Sequence, residues 1–126
     1  MLRLLPILEH MGACNRALTW LKTGNYPTFT QAWDACPNPL WLDWVLDSLV
    51  YGLEDHESPL AKEVAPGIVA LNAEGWKVWD AMGVPTNYDY SLHKERMGEW
   101  LTQHRDWIEK WLVVYAQVYD CAVECT

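Results

Sequence analysis

The chain has 126 residues, 51% hydrophobic and 21% charged, which is enough for one packed domain and too apolar for a disordered segment. Seventeen Asp and Glu against nine Lys and Arg give a net charge of −8, which argues against a phosphate-binding surface and against docking on anionic membranes. Nine Trp stand beside a single Phe, so bulky packing rests on indoles.

Leu2, Leu4, Leu5, Ile7 and Leu8 fill one side of a short first helix. Glu9 and His10 end that apolar run before a secretory signal is complete, and no run reaches the length of a membrane span. The expectation is a soluble, cytoplasmic protein with reduced thiols. Gly12 permits a break before a helix over 13–22, where Cys14, Ala17, Leu18 and Leu21 recur at helical spacing with Trp20 beside them. Thr28 with Gln31 has the spacing of a capping box and starts a helix over 29–36, which Pro37 stops. Asn38-Pro39 offers a cap and a first-turn proline for a helix to Tyr51, with Gly52 as its C-cap. Ser58-Pro59 repeats that start signal for a helix to Met82, which Pro66-Gly67 should kink or split. A loop over 83–87 follows.

From Ser91 the positions His93, Met97, Trp100, His104, Trp107, Trp111, Val114, Val118, Cys121 and Cys125 alternate steps of four and three, a heptad-like seam on one long helix. No useful period-2 alternation occurs. The expected fold is therefore all-α, a compact bundle of about five helices in one domain over 1–126, with the long C-terminal helix as its spine. That seam could instead pair with a second copy, which leaves a homodimer open.

Charge is unevenly placed. Residues 34–90 hold ten acids against Lys62 and Lys77, and no base lies between Asp34 and Glu57. Asp43, Asp47 and Glu54 share one helix face, extended by Asp55 and Glu57. A solvated surface is the plain reading; a docking face for a basic partner is the functional one. Trp33, Trp41, Trp44, Trp100, Trp107 and Trp111 fall mostly on apolar stripes and read as core, whereas Trp76, Trp79, Tyr88 and Tyr90 are candidate exposed anchors.

Reactive chemistry is poorly supported. Cys121 and Cys125 lie one helical turn apart, and with Cys14 and Cys36 four thiolates would suit zinc, but no C-x2-C knuckle is present. His93 and His104 are about 16 Å apart along one helix, too far to share an ion. Phosphate loops, nucleophile elbows and H-E-x-x-H are absent. The expectation is no cofactor, no catalytic residue and no metal, with a zinc- or thiol-dependent enzyme as a distant alternative.

At Gly12-Ala13-Cys14, Ala17, Trp20, Thr28, Ala32-Trp33, Cys36 and Trp41-Leu42-x-Trp44 the chain resembles a group of small helical phage and bacterial proteins, some of them labelled immunity proteins. The resemblance covers roughly residues 12–50. It implies a phage or mobile-element origin, or a bacterial role against a toxin. Small acidic proteins of such origin, some anti-CRISPR proteins among them, act by occupying a basic surface on a larger machine. The leading expectation is thus a non-enzymatic inhibitor whose protein partner presents a basic surface, and the alternative is a toxin-neutralising immunity protein.

Overall fold

The computed structural model describes residues 4–26 and 28–120. Among them all regular structure is helical: α1 (Leu4–Met11), α2 (Asn15–Gly24), α3 (Phe29–Ala35), α4 (Pro39–Leu53), α5 (Pro59–Ala81), α6 (Ser91–Gln103) and α7 (Arg105–Val118), with a 3₁₀ turn at Thr86–Tyr88. Leu2, Cys121 and Cys125 lie outside the described residues, as does the side chain of Tyr88.

Local signals set most helix starts. Gly12 takes a left-handed φ of 86° between α1 and α2, a conformation that costs a residue with a side chain. Thr28 Oγ1 accepts from the Gln31 backbone N–H at 3.1 Å and donates to Gln31 Oε1 at 3.0 Å. The glutamine side chain thus meets the hydroxyl, not the Thr28 amide of a full capping box. Asn38 Oδ1 caps α4 by accepting from the Leu40 N–H at 3.1 Å, and Pro39 opens the helix.

Three local expectations give way to packing. Helix α5 runs unbroken through Pro66 because Pro66 and Lys62 are exposed, so the carbonyl that proline leaves unpaired can face water. Gly52 is the next-to-last residue of α4 and not its C-cap, which is Glu54: Tyr119 donates its hydroxyl proton to the Gly52 carbonyl, and the Tyr115 ring lies against the glycine's bare Cα. The expected C-terminal spine is two helices, broken at His104 (φ −112°, ψ 10°). Thr102 contributes there, since its hydroxyl bonds back to the Gly98 carbonyl at 2.8 Å, a contact that bends helices.

The break changes which seam residues are buried. In α7 the inward stripe is Ile108, Trp111, Leu112 and Tyr115, so Trp107 is 54% exposed, with Lys110 Nζ 5.1 Å above its ring. Trp33 and Trp111 are core residues, Trp41 and Trp100 are half-buried, and Trp44 reaches the surface.

The central element is α4, which packs against α1, α5, α6 and α7. Leu46, Leu49 and Leu53 on α4, Ile68 on α5, Met97 and Leu101 on α6, Ile108 and Leu112 on α7, and Ile7 on α1 are essentially inaccessible and form one core. His10 closes one end, with Nδ1 2.6 Å from the Tyr115 hydroxyl and its ring against Tyr119.

A methyl group at position 52 would sit 2.7 Å from the buried Tyr115 ring. Gly52→Ala should therefore lower the unfolding free energy by about 1–3 kcal/mol. At Gly67 the same methyl meets only an ordinary 3.7 Å contact with Trp111. Gly67→Ala should raise stability by about 0.5–1 kcal/mol, and urea denaturation of both variants checks the pair.

Candidate functional site

The sequence-predicted acids separate into three places. Asp34 on α3 pairs with Arg105 at 3.6 Å across an exposed surface, an interaction worth at most about 1 kcal/mol. Glu54, Asp55 and Glu57 are exposed at the α4–α5 turn. Asp43 and Asp47 are half-buried in the seam between α4 and α5 rather than on a solvated face.

At that seam a small cleft is lined by Leu40 and Asp43 of α4 and by Gly75, Trp76 and Trp79 of α5. Two groups of residues singled out separately for charge and for aromaticity thus meet in one place. Trp76 is 52% exposed, while Trp79 is half-buried and leans on the His93 ring at 4.3 Å, edge to face. His93 itself is 2% exposed and donates from Nε2 to the Gly83 carbonyl at 2.9 Å, which fixes the ring that buttresses Trp79. Tyr90 stands at the far side of Trp79, ring centroids 6.5 Å apart, and is partly exposed. Gly75 is glycine for a spatial reason: a Cβ there would come within 2.9 Å of the Trp100 ring, which packs beneath the cleft.

Burial pushes the Asp43 carboxyl up to about 6, and the neighbouring Asp47 charge adds to the rise. Burial also raises Asp47, opposed by a hydrogen bond from the Asn72 side chain. Among the described residues neither carboxylate has an ion-pair partner. The cleft therefore presents an unpaired, partly desolvated negative charge between two indoles.

Asn72 and Gly75 contribute without standing out by charge or aromaticity. Their signal is in the spacing, since Asn72, Gly75, Trp76 and Trp79 recur at i, i+3, i+4 and i+7 and so form one stripe of α5. Only the packing of α5 on α4 gives that stripe a partner.

A second concavity, about 400 Å³, lies on another side of α4 between it and α1, α2 and α3, with Leu112 of α7 at its base. Every residue that carries the resemblance described above lines it, except Thr28. Cys14 is exposed at its rim, and Cys36 donates its thiol proton to the Asn38 carbonyl at 3.4 Å. Burial raises the Cys36 thiol, which lowers its thiolate fraction and hence its nucleophilicity. Among the described residues no three His, Cys, Asp or Glu side chains lie close enough to hold a metal ion, and no helix is long and apolar enough to cross a membrane. The chain matches no family model, no curated protein and no solved structure.

The raised Asp43 carboxyl has a consequence for stability. Its folded value of about 6 lies above the ordinary 3.8, so its unfavourable contribution is complete above pH 6 and disappears as pH falls toward 4. Asp43→Asn should therefore be more stable than the wild type at pH 7.5, by about 1 kcal/mol after allowing for the carboxyl's partial contact with water. Denaturant midpoints for both proteins should converge at pH 4.

Proposed function

We propose that this protein is a non-enzymatic binding protein that occupies a basic surface of a partner protein, with the Asp43–Trp76–Trp79 cleft receiving a Lys or Arg side chain. The observation that carries this reading is the placement of Asp43, half-buried and without a base, beside one exposed and one half-buried indole. A cationic side chain entering the cleft would lie along the tryptophan faces, a contact worth about 0.5–2 kcal/mol, and would end in a charge-assisted hydrogen bond to the carboxylate. The positive charge would also offset the desolvation and the Asp47 repulsion that raise Asp43 when it stands alone.

Glu54, Asp55 and Glu57 have a different part in this reading. Glu54 falls on the same stripe of α4 as Asp43 but about 16 Å further along the axis, so these acids attract and orient the partner while the cleft holds one side chain. Tyr90 extends the aromatic rim beyond Trp79. The resemblance of residues 12–50 to phage and bacterial proteins directs the choice of partner toward host-defence or nucleic-acid-handling proteins, whose phosphate-binding grooves are basic.

The test uses a soluble oligo-arginine peptide as the probe, followed by tryptophan fluorescence and calorimetry at low salt. Trp76→Ala and the pair Asp43→Asn with Asp47→Asn should each weaken binding by at least about tenfold. The pair Glu95→Gln with Glu99→Gln, which removes the same formal charge from α6, should leave it nearly unchanged. Equal losses from the two charge-matched pairs would mean that net charge alone attracts the peptide and would sink the proposal. Affinity should also fall as pH drops below about 6, where Asp43 takes up a proton.

A further inference from the structure

The cavity formed with α1, α2 and α3 shares only Leu40 with the acid–tryptophan cleft and has the opposite chemistry. Its 400 Å³ falls inside the range of about 300–1,000 Å³ that small-molecule sites occupy. Among the described residues, none that lines it is charged. Two of the lining's polar hydrogens are already committed, since Trp33 Nε1 donates to Thr102 at 3.3 Å and the Cys36 thiol to Asn38 at 3.4 Å. The walls are aromatic: Trp20 and Trp41 stand 6.0 Å apart, centroid to centroid, and Phe29 and Trp33 5.5 Å apart.

We propose that this cavity is a binding site for a neutral, largely apolar small molecule with a flat aromatic body. Neutrality follows from the lining, because a buried charge without a partner is costly and the net charge of −8 repels anions in particular. A flat aromatic body follows from the indoles, which prefer offset or edge-on contacts with another ring. The lining comes from α1, α2, α3 and α4 with Leu112 of α7, and its volume of about 400 Å³ matches an occupant of small-molecule size. The α2 wall packs chiefly on α1 and meets α4 through the Trp20–Trp41 ring pair, so an occupant would extend the apolar layer between α2 and α4.

A matched pair of dyes tests the proposal on the full chain: N-phenyl-1-naphthylamine and its 8-sulfonate, which differ by one negative charge. The neutral dye should bind saturably at one site per chain, and at least about tenfold more tightly than the sulfonate. Ala17→Phe and Ala13→Leu, which project bulk into the cavity from α2 and from the turn before it, should each weaken the neutral dye by at least about tenfold while keeping or raising the thermal midpoint. Trp76→Ala should leave dye binding unchanged, which separates this site from the proposed docking cleft. The proposal is overturned by equal or tighter binding of the sulfonate, the behaviour of loosely packed apolar surface, by unchanged dye binding in either folded cavity-filling variant, or by a stable dimer that excludes the dye.

Discussion

Helix α4 has to satisfy three environments at once, and the rest of the molecule is arranged around that requirement. At about 100° per residue its side chains fall into three stripes roughly a third of a turn apart. Leu46, Leu49 and Leu53 enter the core, Leu40, Asp43 and Asp47 face α5, and Trp41, Trp44 and Val45 face the apolar cavity. Turning the helix to hydrate the two carboxylates would withdraw leucines from the core. Each buried leucine contributes about 1.5–3 kcal/mol, so three of them outweigh the cost of leaving two carboxylates half-desolvated. The core therefore sets the rotation of α4, and Asp43 is held beside α5 as a result.

What α5 presents to that stripe turns a cost into a site. Gly75 lets Trp100 of α6 pack within 2.9 Å of where a side chain would begin, which brings three helices close together beneath the cleft. Trp76 is left at the surface, while Trp79 is held by His93, itself tied to the Gly83 carbonyl. The cleft thus has a supported wall and an exposed one, a combination suited to gripping a side chain that arrives from solvent. A carboxylate alone on a surface would offer a partner little, because water screens it. Partial burial between indoles strengthens its attraction for a cation.

Features that depend on neighbours in the chain were legible from residue order. The Asn38-Pro39 start, the Thr28 cap, the Gly12 break and the all-helical class all rest on contacts within four residues, where local geometry dominates. The misread elements fail for one shared reason. Proline lacks an amide, so Pro66-Gly67 predicts a kink or a split, yet α5 is one helix through an exposed Pro66 and Lys62. Glycine at 52 predicts the C-cap of α4, yet the cap is Glu54 and the bare Cα admits the Tyr115 ring from sixty-three positions away. The seam from His93 onward has continuous spacing, but the bend at His104 rotates its second half and leaves Trp107 in water.

Residue order by itself determined the helical class, most helix starts, the concentration of negative charge in residues 34–90, and the two sets of residues, acidic and aromatic, that merited attention. These follow from composition and from interactions between near neighbours. Tertiary structure alone decided that Asp43 meets Trp76 and Trp79, that Asp34 is paired with Arg105 while Asp43 has no ion-pair partner among the described residues, and that the tryptophan-rich motif of residues 12–50 lines a cavity while its Trp33 also enters the core. The physical reason is that a helix's periodicity fixes which side chains share a face, whereas the partner of that face is chosen by the burial of the whole chain.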